Sequence, residues 1–339
     1  MTTLNKLESI GEQSADSAPS TIQYTGNLKW LLPNTILLVR AGSHAYGLNT
    51  PTSDLDIRGI AVPPREYYLG FTNRFEQAEQ HEPVDLVIFG VTKFFTLAID
   101  CNPNVAELLW SSPRDYLSLH KFGELLIEHR EAFLSQVARY RFSGYAMSQL
   151  KRMRTHRKWL LNPPKEKPTR AAFGLPESTV VPADVMGAIE SIEKSAGDLL
   201  QFPSHVIEVY KRERSYQGML REWQQYENWR ENRNVARAAL EAKYGYDTKH
   251  AMHLVRLMRM CREILTTGKV IVRRPDAEEL LAVRNGAWPY DQLIEWAERQ
   301  DAEMEALQKA STLPKSADRR VLDRLHITII EALLAGGIG

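Results

Sequence analysis

The stretch that most narrows what this chain can become is Gly42-Ser43-His44-Ala45-Tyr46-Gly47-Leu48-Asn49-Thr50-Pro51-Thr52-Ser53-Asp54-Leu55-Asp56-Ile57-Arg58-Gly59. It lies between two apolar runs, Ile36-Leu37-Leu38-Val39 and Ile57 to Val62, each of which predicts a buried strand. A Gly-Ser pair at a strand end lets backbone N–H groups and a hydroxyl approach an anion closely. Asp54 and Asp56, two apart on an extended chain, are expected to point to the same face. Opposite a phosphate cradle, that pair suits Mg²⁺, a hard ion that takes carboxylate and phosphate oxygens.

A third carboxylate is expected nearby, and Asp85 in Val84-Asp85-Leu86-Val87-Ile88-Phe89 is the candidate. An acid set in an apolar strand is costly to bury without a metal or a partner. Two metals about 3.5–4 Å apart on three carboxylates would activate a hydroxyl and stabilise a leaving pyrophosphate. The plainer readings are that Ser-Asp-x-Asp is turn and capping chemistry, and that Asp85 faces solvent where a strand begins after Pro83.

The string Gly-Ser-x-Ala-Tyr-Gly-Leu-x-Thr-Pro-x-Ser-Asp-x-Asp, with the later Asp85, resembles the nucleotidyltransferases of the DNA polymerase β superfamily, in the branch linked to RNA repair and RNA ligases. Three later stretches share the resemblance: Arg157-Lys158-Trp159-Leu160-Leu161-Asn162-Pro163-Pro164, Gly245-Tyr246-Asp247-Thr248-Lys249-His250-Ala251-Met252-His253-Leu254, and Arg274-Pro275 followed by Arg284-Asn285-Gly286. The resemblance implies an α+β fold: a polymerase-β-like nucleotidyltransferase core with a mixed sheet, followed by a mainly α-helical domain. It implies that Asp54, Asp56 and Asp85 hold two Mg²⁺ ions, with Mn²⁺ able to replace them. Gly42, Ser43, Tyr46, Lys249, His253 and Arg256 would then contact the nucleotide.

Composition adds bounds. Among 339 residues the formal net charge is +1, so any nucleic-acid contact has to come from local patches. Two cysteines, Cys101 and Cys261, make neither a disulfide framework nor a zinc site. No apolar run reaches about 18 residues and the N-terminus has no signal-peptide pattern, so a cytoplasmic protein with no membrane span is expected.

In order, residues 1–25 read as a flexible arm, 26–135 as the catalytic core, 136–330 as a helical domain with a Pro-rich loop at 162–183, and 331–339 as a flexible tail. Thr92 is expected to cap a helix carrying Phe94 and Phe95, and Asn102-Pro103 to start another. Glu107 on that second helix either approaches the metals or, the reading favoured, is an exposed acid of the first turn.

Two basic features lie further on. From Val137 to Leu160, Lys151, Arg154, Arg157 and Lys158 alternate with aromatics such as Tyr140, Tyr145 and Trp159; this suits either an RNA strand or a solvated helix face. After Asp247, read as a helix cap, Lys249, His253 and Arg256 recur at i, i+4 and i+7 on one stripe, with Leu254, Val255, Met258 and Cys261 opposite. Such a stripe could neutralise charge on a polyphosphate. The expected activity is transfer of a nucleoside monophosphate from an NTP to a hydroxyl, an RNA end being the acceptor the resemblance implies. Transfer to a protein or small molecule, or a non-catalytic nucleotide- or RNA-binding module, are the alternatives.

Overall fold

A computed structural model describes residues 22–179, 182–194 and 203–336. The chain is mixed α and β, with a five-stranded mixed sheet in its N-terminal part and helices through most of the remainder. It divides into two compact units. Among the described residues the first takes 22–137, 268–275 and 313–336, and the second takes 138–179, 182–194, 203–267 and 276–312.

The first unit is built on strands β1 (Thr35–Arg40), β2 (Asp56–Ala61), β3 (Gln77–Gln80), β4 (Asp85–Gly90) and β5 (Tyr116–Leu119), in the order β3-β4-β2-β1-β5. β1 runs antiparallel to both β2 and β5, β3 runs antiparallel to β4, and β2 is parallel to β4. Strand residues alternate between two apolar layers, as a pleated sheet requires. Leu37, Val39, Ile60 and Phe89 join one layer, and Leu38, Ile57, Leu86 and Ile88 join the other.

The first layer is closed by the Val91–Ile99 and Pro103–Leu109 helices and by a late helix, Arg319–Gly336, which adds Leu322, Leu325, Ile329 and Leu333 to the same core. Packing therefore continues past residue 330, to which the sequence reading confined the folded chain; residues 337–339 lie outside the described residues. At the other end, most of the expected arm lies outside them too. Ile22 and Tyr24 pack on the second layer, and the Thr25 amide donates to Gln80 Oε1 at 2.8 Å.

Helix starts follow local chemistry with one difference. Asn102 caps the Pro103–Leu109 helix by accepting from the Asn104 amide at 3.1 Å, with Pro at the first position. Thr92 is not a cap: the helix begins at Val91, and the Thr92 hydroxyl lies 2.9 Å from His326 Nε2.

The second unit is helical and centred on Thr248–Thr267, which is buried on most of its circumference and packs against the Gly144–Leu161, Ala277–Arg284 and Tyr290–Ala310 helices. Leu254, Val255, Met258 and Cys261 all lie in its core. In the Pro-rich segment, Arg170 makes two bonds of 2.8 and 2.7 Å to Glu213 on the Ser204–Glu231 helix. Among the described residues no helix is long and apolar enough to cross a membrane.

Ile329 is fully buried and far in sequence from the sheet it covers. Ile329→Ala should lower the stability of the full chain by about 2–4 kcal/mol, measured by urea unfolding.

Candidate active site

The topology gathers the chemistry at one end of the sheet. Because β1 is antiparallel to β2 and β5 while β2 and β4 are parallel, the last residue of β1 and the first residues of β2, β4 and β5 share that end. Asp56 and Asp85 are direct partners in the β2/β4 register.

Arg58, two residues along β2 and so on the same face, bridges them. One guanidinium nitrogen lies 3.3 Å from Asp56 Oδ1 and the other 3.3 Å from Asp85 Oδ1. The carboxylates keep 28% and 37% of their side-chain surface, so the pair opens to solvent.

The Gly-Ser pair begins a one-turn helix, Gly42–Tyr46, directly after β1. Gly42 has φ +58°, and a Cβ on it would lie 2.0 Å from Asp56 Oδ2. Glycine is required there for both conformation and space. The Ala41 amide donates to the Asp56 carbonyl at 2.8 Å, which fixes the approach.

β2 begins at Asp56, two residues after Asp54. Asp54 follows a turn in which the Ser53 amide donates to the Thr50 carbonyl at 2.9 Å, and it is exposed. Among the described residues no three His, Cys, Asp or Glu side chains are grouped to hold a metal. The donor set at the strand ends is the Asp56/Asp85 pair. Oxygen-only and two in number, it fits a hard divalent ion, which is often held by one or two carboxylates with phosphate oxygens and water completing the shell. Arg58 supplies the positive charge between them.

Tyr46 is buried, and its hydroxyl donates to Glu107 Oε2 at 2.5 Å. Glu107 is only 7% exposed, which corrects the reading of it as a solvated first-turn acid. The bond links the one-turn helix to Pro103–Leu109 and gives the buried acid a partner.

The remaining candidates belong to the second unit. Lys249 and His253 are partly buried, but Arg256, expected on the same stripe, is 4% exposed, and its Nη1 approaches Met260 Sδ at 3.2 Å. Burial lowers the His253 pKa to about 3, reinforced by the charges of Arg256, Lys249, His250 and Arg237. The ring is therefore neutral near pH 7, and the cations of this group are Lys249 and Arg256.

Asp247 does cap its helix, accepting from the His250 amide at 3.0 Å. Burial alone would raise its carboxyl, but the hydrogen bonds and charge of His250, with Arg237, hold it well below the usual range.

Of the four basic residues suggested for RNA, Lys151 is exposed, while the other three are engaged within the unit. Arg154 pairs with Glu298, Lys158 with Glu222 at 2.5 Å, and Arg157 donates to the Gly245 carbonyl at 2.7 Å and lies 4.3 Å over the Tyr290 ring.

Residues 4–163 match the family described as RNA repair pathway DNA polymerase beta family. The match covers just under half of the chain. The match suggests a nucleotidyltransferase role in RNA repair, and polymerase-beta-like nucleotidyltransferases generally use divalent metals.

Over 88 residues the chain is 31% identical to an uncharacterized 38.9 kDa protein of the nrdC-mobD intergenic region of Enterobacteria phage T4, which covers 23% of this chain and 26% of that protein. Over 118 residues it is 27% identical to the uncharacterized protein YcgL of Bacillus subtilis (strain 168), covering 34% of this chain and 45% of that one. The chain thus spans less than half the length of either relative. No solved structure matches it. The family segment contains Gly42, Ser43, Asp54, Asp56 and Asp85 and stops short of Lys249, His253 and Arg256.

Arg58 and the Tyr46/Glu107 bond escaped sequence reasoning. For Arg58 the signal was present: it stands two residues after Asp56 in a predicted strand.

Two measurements follow from this geometry. Gly42→Ala should destabilise the protein by at least about 1–2 kcal/mol from its backbone conformation alone, read as a lowered urea midpoint. His253 binds its proton in the unfolded chain near pH 6.5 and in the folded chain only near pH 3. Its contribution is therefore present above about pH 6.5 and is lost as the pH falls. Between pH 7 and pH 5 the wild type should lose about 1–2 kcal/mol more than His253→Gln in parallel urea titrations.

Proposed function

We propose that the chain is a Mg²⁺-dependent nucleotidyltransferase that moves a nucleoside monophosphate from an NTP to a hydroxyl on an RNA end and releases pyrophosphate. The observation that carries this reading is the direct register of Asp56 with Asp85 at the strand ends, with Gly42 packed onto the Asp56 carboxylate. In-line transfer needs two oxygen donors on one face, beside a backbone that a phosphate can approach.

Divalent ions bound here would lower the pKa of the attacking hydroxyl and stabilise charge on the leaving pyrophosphate. Asp56 and Asp85 hold the cation, and Arg58 balances their charge in its absence. Gly42 and Ser43 present the backbone and hydroxyl that orient the polyphosphate, and Asp54, exposed two residues ahead of β2, is the third candidate carboxylate for the cation. Tyr46, the further candidate for nucleotide contact, braces this turn through Glu107. In the second unit, Lys249, His253 and Arg256 remain candidates for contact with an anionic substrate, with His253 acting as a neutral hydrogen-bonding group.

The test is incubation of the full chain with each of the four α-labelled NTPs, Mg²⁺ and an RNA bearing a free 3′-hydroxyl. Label should move to the RNA, and Asp56→Ala or Asp85→Ala should cut the rate at least about 10³-fold, as loss of a group central to transition-state stabilisation does. No transfer from any nucleotide, or undiminished transfer by Asp56→Ala, refutes the assignment. Label that survives nuclease and is lost on proteolysis moves the acceptor to a protein.

A further inference from the structure

On β1 and β5, beside the two carboxylates, the same end of the sheet carries a cluster that the reading above does not use. Arg40 closes β1. Asp115 ends the turn that leads into β5, and the Val39/Tyr116 pairing sets Arg40 alongside it. Arg114 precedes Asp115.

Arg273 arrives from far along the chain on the segment 268–275. Its Nη1 donates to the His44 carbonyl at 3.3 Å, and its Cζ lies 3.5 Å from where a Cβ of Gly47 would be. The neighbouring Arg274 amide donates to the Tyr46 carbonyl at 3.0 Å, which anchors the segment on the Gly42–Tyr46 turn.

Two observations mark this corner as prepared for a ligand. Among the described residues Arg40, Arg114 and Arg273 form no ion pair, although Arg114 and Arg273 are exposed and Asp115 lies among them. Asp115 is 4% exposed, and its Oδ2 has no hydrogen-bond partner; neither does the buried Nε2 of His44. Burial raises the Asp115 pKa, and the opposing charges of Arg273, Arg114, Arg40 and His44 do not cancel that effect. Three guanidinium groups from three separate segments, around a buried carboxyl that pairs with none of them, are short of an anion.

We propose that Arg40, Arg114 and Arg273 form a phosphate-binding subsite at the β1/β5 corner, separate from the Asp56/Asp85 pair and one strand away from it. Guanidinium forks match phosphate oxygens in pairs, which gives such a subsite selectivity for phosphate over simple charge. The proposal deepens the nucleotidyl-transfer reading and rests on it for the owner of the phosphate. That is either the polyphosphate tail of the NTP or a terminal phosphate of the acceptor RNA.

The test reads binding without metal, so that it does not depend on catalysis. The full chain in EDTA is titrated with tripolyphosphate, and separately with a short RNA carrying a terminal phosphate and its hydroxyl-ended counterpart. We expect at least one phosphate probe to bind, and Arg114→Gln or Arg273→Gln to weaken it about ten-fold or more. Arg→Lys at the same positions should recover part of the affinity, and urea midpoints of all variants are compared to exclude unfolding.

Loss confined to tripolyphosphate assigns the subsite to the nucleotide. Loss confined to the phosphorylated RNA assigns it to the acceptor. The subsite is overturned if the wild type binds neither probe, or if folded Gln variants bind both as the wild type does. Phosphate binding that depends on the arginines, in a protein that transfers no label, would instead sink the nucleotidyl-transfer reading and leave the subsite standing.

Discussion

The arrangement depends on two carboxylates held side by side. At the strand spacing of about 4.8 Å, two such charges repel by about 3 kcal/mol at an effective dielectric of about 20. A protein keeps such a pair only where something positive is supplied. In this chain the resident answer is Arg58, placed by the same strand that carries Asp56 and reaching both acids. A compensating charge that comes from a flexible side chain can yield to a stronger one, which a fixed apolar contact cannot. Under the proposed function, a divalent ion and phosphate oxygens would take the place of the guanidinium between the two acids.

The surrounding fold maintains that pair. β2 and β4 lie in parallel register in the middle of the sheet, covered by apolar layers on both sides, so neither acid can move along its strand without shifting Ile57, Ile60, Leu86 and Ile88 out of the core. The Gly42 turn leans on Asp56 from the β1 side and is itself held by Tyr46 on Glu107 and by the Arg273-Arg274 segment. The site is thus fixed from three directions that are distant in sequence.

How much of this the sequence discloses follows from the range of the interactions. The two apolar runs, the Gly-Ser pair and Asp56 are local features, and their strand and turn were legible as such. That Asp85 would stand opposite Asp56 was an expectation from an acid in an apolar strand; the β2/β4 register that realises it skips β3, and no local pattern encodes such a crossover. Asp54 lies just ahead of β2, and periodicity cannot say at which residue a strand begins. Glu107 was misjudged because its partner, Tyr46, is 61 residues away. The return of segments 268–275 and 313–336 to the first unit has no signature short of the packing itself. The three stretches beyond residue 150 that resemble the RNA-repair branch have a partly structural use within the second unit: Arg157 bonds Gly245, Tyr246 bonds the Trp288 carbonyl, and Gly286 leaves no room for a Cβ beside Tyr244.

A net charge of +1 gave no hint of an anion-binding surface, and the structure gives the physical reason. In the second unit, arginines are matched to acids that burial would otherwise make costly: Arg170 to Glu213, Arg233 to Glu241, and Arg237 to Asp247, each of these acids under 5% exposed. Removing either member of such a pair leaves a buried charge uncompensated, so these arginines are committed to the fold and not available to a ligand. At the β1/β5 corner of the first unit the pairing rule is broken: among the described residues none of the three arginines forms an ion pair with the carboxyl whose charge they feel. The overall balance of charge therefore conceals a division between cations that hold a unit together and cations left open to solvent. It is the pattern of pairing, and not the sum, that distinguishes a binding surface from a stabilising network.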